Sequence, residues 1–245
     1  MPKDYFAERV AARYDEDDAA MFDPAVVEPV VDFLVGLAQD GAALELGIGT
    51  GRIAIPLCQR GIRVHGIDLS EAMVARMRAK PGAERIGVTI GDFATAKVQG
   101  SFSVVYLVYN TIGNLTTQDE QVACFENVAF HLQPGGRFVI EVGIPGVRLL
   151  PPGEKFRLFD VSGTHVGLDE YDVANQGLIS HHYNLTDDGR FEKSSLPLRY
   201  VWPAELDLMA RIAGLTPRER WGGWKREPFT SESRKHISVW EKPAA

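Results

Sequence analysis

A short apolar strand, Ala42–Leu46, runs directly into glycines at 47, 49 and 51, and this segment constrains the 245-residue chain more than any other. A helix-forming stretch, Arg52–Arg60, follows at once. Glycine lacks a Cβ, so it permits a sharp turn and a close backbone approach. The free N–H groups of a helix start then face whatever enters the turn. The segment predicts a strand–turn–helix unit that holds a nucleotide-like ligand. A tight turn with no ligand is the competing reading.

Glycine spacing separates two ligand classes. A dinucleotide pyrophosphate uses Gly-x-Gly-x-x-Gly. Here the order is Gly47-x-Gly49-x-Gly51, preceded by Glu45. An acid beside the turn repels a pyrophosphate and suits a cationic amino-acid group. The segment resembles motif I of the class I S-adenosylmethionine (SAM) methyltransferases, in which the glycine loop wraps the methionine end of SAM. That resemblance implies cofactor contacts at Glu45, Gly47, Gly49, Thr50 and Gly51.

The following strands extend the pattern. Gly61–Asp68 reads as a strand ending in an acid, 23 positions after Glu45. That is near the interval of ~20 residues for a carboxylate that grips ribose hydroxyls. A carboxylate accepts from both hydroxyls of a diol. Ser70 is a good N-cap for a helix over Ala72–Lys80. Val88–Phe93 reads as a third strand ending in Asp92-Phe93. The resemblance places Asp68 and Leu69 at the ribose and Asp92 and Phe93 at adenine. An N-cap role for Asp92 and a core role for Phe93 compete with it.

Ser103–Tyr109 is a near-continuous apolar run, as in a central parallel strand. It ends at Asn110-Thr-Ile-Gly-Asn114, before a helix over Gln118–Leu132 with apolar Val122, Phe125, Val128, Ala129 and Leu132. Gln133–Gly136 reads as a turn and Arg137–Val142 as the fifth strand. Leu-x-Pro-Gly-Gly before that strand again resembles small-molecule SAM methyltransferases, a likeness dense over residues 40–143.

The expected fold class is α/β: a Rossmann-like, doubly wound, seven-stranded sheet with its last strand antiparallel. Residues 155–201 break the rhythm with three extended runs, Gly163–Val173, Leu178–Leu185 and Arg190–Val201, and a turn at Asp187–Gly189. They predict an antiparallel sheet inserted after the fifth strand. The pattern is then nearest to amino-sugar N,N-dimethyltransferases and a bacterial peptide N-terminal methyltransferase. In such relatives the insertion roofs the site or builds a dimer face, which implies a homodimer through the inserted sheet. The organisation expected is one domain: a helical cap over 1–40, a SAM-binding core over 41–143, the insertion, then a helix and final hairpin over 202–245. Within the cap, Tyr5–Asp15 reads as helical, and Asp23-Pro24 starts a helix over Ala25–Ala38. Near the end, Trp202–Leu215 reads as a helix, and Thr216–Gly222 and His236–Glu241 as strands.

Net charge is −7. It argues against a nucleic-acid partner, which needs a basic surface. The basic residues between Arg218 and Lys235 read as a solvated face. Asn110-Thr-Ile-Gly also departs from the Asn/Asp-Pro-Pro-Tyr tetrad of nucleic-acid amino-methylating enzymes, so a small molecule or peptide is the expected acceptor. The spacing of Cys58 and Cys124 suits neither a metal site nor a disulfide framework. No apolar run reaches the ~20 residues of a membrane helix, and no signal peptide is read. A cytoplasmic protein without membrane partners is expected.

The expected reaction is direct displacement of the sulfonium methyl of SAM by N or O of the acceptor. Tyr14, Asn110 and His182 are the candidate catalytic residues, Asn110 also as a cofactor contact near the transferable methyl, with His181 and His165 as further candidate bases. Tyr14, Asn114, His181, Trp221 and Trp224 are the candidate acceptor contacts. Strand alternation puts His181 and His182 on opposite faces. A SAM-binding regulator without catalysis and an NAD-type oxidoreductase are the rival readings.

Overall fold

The computed structural model describes residues 3–186 and 188–244. Its strands are β1 (Ala42–Leu46), β2 (Arg63–Asp68), β3 (Gly87–Ile90), β4 (Phe102–Leu107), β5 (Leu132–Gly143), β6 (Phe156–Val161), β7 (His165–Asp172), β8 (Gly177–Leu185), β9 (Phe191–Arg199), β10 (Thr216–Trp221) and β11 (Lys235–Glu241). Its helices are α1 (Glu8–Ala11), α2 (Tyr14–Asp17), α3 (Pro24–Ala38), α4 (Ala54–Gln59), α5 (Glu71–Arg78), α6 (Gln118–His131) and α7 (Pro203–Ile212).

Seven strands form one sheet in the order β10-β11-β5-β4-β1-β2-β3. β1 pairs in parallel with both β2 and β4. β11 runs antiparallel to β5 and to β10, as expected of the last strand. Strand alternation builds a core on each face. Ala43, Val104, Tyr106, Val139 and Ile237 pack with α3 and α4. Leu44, Leu46, Val105, Leu107, Phe138 and Trp240 pack with α6 and α7. The sheet is therefore covered on both sides, and its ligand-binding edge lies at the carboxyl ends of the strands, where the order reverses between β1 and β4.

Helix α6 shapes that edge. Thr117 caps it, and Glu120 completes a capping box. Three of its polar side chains are buried, and each satisfies loop backbone beside the site. Gln121 donates to the carbonyls of Ile112 and Leu115. Asn127 donates to those of Phe93 and Ala96. His131 Nε2 accepts from the Val98 amide. Periodicity identified the apolar stripe but not this row, because buried amides sit where a solvent face is expected.

A second sheet, in the order β6-β7-β8-β9, is antiparallel throughout. Its strand β6 had no counterpart among the three expected runs. A bulge between Leu158 and Asp160 breaks its alternation, which hid it. The turn expected at Asp187–Gly189 includes Asp187, which lies outside the described residues. Three other expectations shift. β5 begins at Leu132, because Gly135 and Gly136 pair with the Lys242 backbone and prolong the strand through the glycines. The third strand stops at Ile90, leaving Asp92 and Phe93 in the loop. The N-terminal stretch forms two single turns, α1 and α2, in place of one helix.

Candidate functional site

A cavity of about 350 Å³ opens at the carboxyl ends of β1 to β4. Eight of the expected site residues line it: Tyr14, Gly47, Gly49, Asp68, Leu69, Asp92, Phe93 and Asn114. Asp68 organises its floor. One carboxylate oxygen accepts the Gly49 amide at 2.6 Å and the other accepts the Ser70 amide at 2.8 Å. Burial raises its pKa despite these donors. Asp92 accepts the Ala94 amide at 2.9 Å while still lining the cavity, so its turn-capping and lining positions coexist.

The glycines divide their work. Gly49 has φ +54° and lies on the cavity. Gly51 has φ +80°, and a Cβ there would stand 2.6 Å from Met77 Cγ, so it packs the loop against α5 and is not a cavity wall. Thr50 is also buried away from the cavity, where its hydroxyl donates to Asp15 Oδ1 at 2.6 Å.

Glu45 departs most from expectation. Alternation on β1 turns it away from the cavity, toward the α3 face, where it is buried. It accepts the Tyr106 hydroxyl at 2.9 Å. Burial pushes its carboxyl up to about 8. Asn110 also stays off the cavity. Its side chain accepts the Gly143 amide and ties the loop after β4 to β5, with a left-handed backbone at φ +59°.

The two tryptophans expected at the acceptor lie elsewhere. Trp224 is buried against Phe33 of α3 and donates to Glu141 at 3.0 Å. Trp221 packs beside the same cluster and donates to Glu219 at 2.7 Å. The β10–β11 connection folds down onto α3, so neither ring reaches the cavity. His181 and His182 do take opposite faces, and neither lines the cavity. His181 contacts Ser195 and Glu170, whereas His182 turns toward His165. Four of the basic residues near the C-terminus are engaged by acids: Arg218 with Glu241, Arg220 with Asp207, Arg226 with Glu219 and Lys235 with Glu141.

The N-terminal segment supplies a wall that sequence reasoning reduced to Tyr14. Lys3, Asp4, Tyr5 and Phe6 also line the cavity. The Ser70 hydroxyl donates to the Phe6 carbonyl at 2.8 Å, and Lys80 pairs with Asp15. Pro197 of β9 brings the inserted sheet to the same cavity. An aromatic pair so early in the chain was the available signal for the first wall. Nothing in the sequence singled out Pro197. Off the cavity lining, the Tyr109 hydroxyl donates to Asp18 Oδ1 at 3.1 Å, and the Arg52 guanidinium lies 5.2 Å from the Tyr109 ring centre. Burial and Asp18 together push the Tyr14 phenol well above its ordinary value and the Tyr109 phenol to about 12. Both phenols are therefore protonated donors at neutral pH.

A methyltransferase domain family matches residues 43–136. The solved CcbJ methyltransferase of Streptomyces caelestis is 36% identical, with a TM-score of 0.86, covering 97% of each chain. The chain is a SAM-dependent methyltransferase. The cypemycin N-terminal methyltransferase of a Streptomyces species is 28% identical over 210 residues, 81% of this chain and 82% of that one. A SAM-bound amino pentose methyltransferase of Micromonospora echinaspora, 21% identical with a TM-score of 0.70 over 99% of this chain and 100% of that one, shares the fold. The methyltransferase thus sets the NAD-type reading aside. Its cavity suits SAM on its own terms, with a carboxylate at Asp68, a side-chain-free wall at Gly49 and an apolar ring at Phe93. No helix among the described residues is long and apolar enough to cross a membrane.

Proposed function

We propose that the enzyme methylates an amine nitrogen of a small molecule or of a peptide N-terminus. The observation that carries this reading is the Tyr14 phenol on the cavity wall, with the hydrogen-bonded Asp18–Tyr109 pair close enough to bias its charge. A half-buried carboxylate flanked by two protonated phenols attracts an ammonium group and offers it acceptors. The likeness to the cypemycin N-terminal methyltransferase supports the same atom type. Bound SAM supplies an electrophilic sulfonium methyl. Asp68 and Leu69 hold its ribose, Asp92 and Phe93 its adenine, and Gly47 and Gly49 its amino-acid end. Tyr14 and Asn114 orient the acceptor, and most of the rate comes from that positioning. A screen with radiolabelled SAM tests the reading across a tripeptide with a free α-amine, amino sugars, phenols and carboxylic acids. Label is expected in amines; transfer to phenols or acids alone refutes the amine assignment.

The same reading includes a homodimer. Phe156, Leu158, Val161, Ile179, Leu185 and Phe191 are exposed, and the strand register gathers them on one side of the inserted sheet. An apolar face of that kind favours a self-complementary partner. Sedimentation equilibrium is expected to give twice the chain mass and, for Leu158→Glu/Phe191→Glu, the chain mass itself. A wild-type monomer at micromolar concentration sinks the dimer.

A further inference from the structure

Four side chains on the opposite side of the inserted sheet form one hydrogen-bonded row. Asp160 Oδ2 lies 2.6 Å from His165 Nδ1. His165 Nε2 lies 3.1 Å from His182 Nδ1. His182 Nε2 lies 3.3 Å from Ser180 Oγ. The register explains the meeting: Asp160 on β6 and His182 on β8 both stand opposite Gly167 of β7. The missing side chain at Gly167 leaves room for Phe159, whose ring packs against both imidazoles.

Hydrogen-bonding capacity gives the row a direction. An ionised carboxylate only accepts, so His165 carries its hydrogen on Nδ1, and in the neutral ring its Nε2 is a lone pair. His182 must then donate from Nδ1. Its Nε2 is left as the basic atom, 3.3 Å from Ser180 Oγ, whose one hydrogen Asp169 also draws. A base oriented by a second group, itself held by a carboxylate, is the arrangement that activates proton transfer in many enzymes. Asp18 and His182 lie close enough for each to bias the charge of the other, and Asp18 is the residue bonded to Tyr109. The outer end reaches solvent, where the Asp160 side chain is 50% exposed.

We propose that His182 takes the proton that the acceptor ammonium must lose, and that His165 and Asp160 are positioning residues which fix its tautomer and receive the charge. The inference rests on the amine reading. An ammonium acceptor releases one proton for each methyl it gains, and its nitrogen has no lone pair until that proton leaves. The proton passes by way of Asp18, bridged by water, to His182 Nε2. The hydrogen on His182 Nδ1 shifts to His165 Nε2, and the imidazolium so formed is paired with Asp160. After product leaves, water removes the proton from His182 Nε2 and the hydrogen on His165 returns, restoring both tautomers. Burial and neighbouring His165 lower the pKa of His182, which keeps it unprotonated and ready at neutral pH. The other charged groups around it are Asp18, His181 and, through Ser180, Asp169.

Two measurements test this. Long-range ¹H–¹⁵N imidazole spectra of the labelled enzyme at pH 7.5 need no acceptor. They are expected to show His165 and His182 as neutral Nδ1–H tautomers, and His182 as the Nε2–H form in His165→Phe. An Nε2–H His182 in the unaltered enzyme overturns the proposal. With a tripeptide as acceptor, His182→Gln is expected to lower kcat about 100-fold at pH 7, and His165→Phe about 10-fold. Both deficits should shrink several-fold above the α-amine pKa of about 8, where the acceptor has already lost its proton. SAM affinity should stay unchanged. A loss of equal size at pH 7 and pH 9 assigns the row a purely structural role and overturns the proposal. If neither the tripeptide nor any other amine is methylated, the amine reading fails by itself, and the tautomers still decide how the row is polarised.

Discussion

Asp68→Ala is expected to weaken SAM binding by about 100- to 1000-fold, measured by titration calorimetry on the purified enzyme. The carboxylate does two things that alanine cannot. It accepts the Gly49 amide at 2.6 Å and the Ser70 amide at 2.8 Å, which sets the glycine loop against the start of α5. It also presents its remaining lone pairs to the cavity, where a ribose diol can donate. Hydrogen bonds to a charged group contribute roughly 1.5–3 kcal/mol each. Losing the diol contacts and loosening the loop together come to about 3–4 kcal/mol, which corresponds to the stated range. Asp68→Asn keeps one acceptor oxygen and should fall between alanine and wild type. Global stability should change little, because burial already disfavours this carboxylate's charge and offsets part of what its hydrogen bonds contribute. Unaltered SAM affinity in the alanine variant removes Asp68 from the ribose site.

Legibility in the sequence followed the range of the interaction. β1 was expected at its observed limits, and β2 and β4 within two residues of theirs, because β4 is a near-continuous apolar run and β1 and β2 each end at a marked turn, the glycines after Leu46 and the Asp68–Ser70 cap. Five residues of the cavity lining were legible for the same reason. Gly47, Gly49, Asp68, Asp92 and Phe93 all sit where a strand ends, and their positions follow from local chain geometry. Glu45 was misplaced because motif spacing does not reveal which face of β1 a residue takes, whereas Leu44 and Leu46 fix that face once the two cores are known. Trp221 and Trp224 were misplaced because the loop between β10 and β11 turns back onto α3, a contact between residues some 190 positions apart. The His165–His182 row depends on cross-strand register and on a bulge in β6, neither of which leaves a periodic trace.

Replacing Glu45 by glutamine should stabilise the enzyme by an amount that grows with pH. Glu45 lies on β1 opposite Gly66 of β2 and Tyr106 of β4, in the middle of the sheet. It is only 3% exposed, and burial is the largest influence on its carboxyl, raising it from 4.5 to about 8. The Tyr106 hydroxyl, Arg52 and the Ala54 amide pull the other way without cancelling that effect. In the folded enzyme Glu45 therefore keeps its proton to about pH 8, while in the unfolded chain it loses it near pH 4.5. The folded state binds the extra proton between those limits, so stability falls with rising pH across that window. The contribution is fully present below pH 4.5 and lost as pH passes through about 8. At about 1.4 kcal/mol per pH unit, the loss between pH 5 and pH 8 is about 4 kcal/mol. Glutamine offers the same carbonyl oxygen to Tyr106 and has no proton to lose, so its variant should lack this slope. Urea unfolding at pH 5, 6.5 and 8 measures the difference. The two proteins should be close at pH 5 and widely separated at pH 8, with the variant the more stable. A constant difference across the three pH values means that Glu45 is ionised throughout, which requires a cationic partner beyond Arg52 in the α3-side core. The pH profile thus decides whether the acid that precedes the glycine turn acts as a charge or as a buried neutral hydrogen-bonding group.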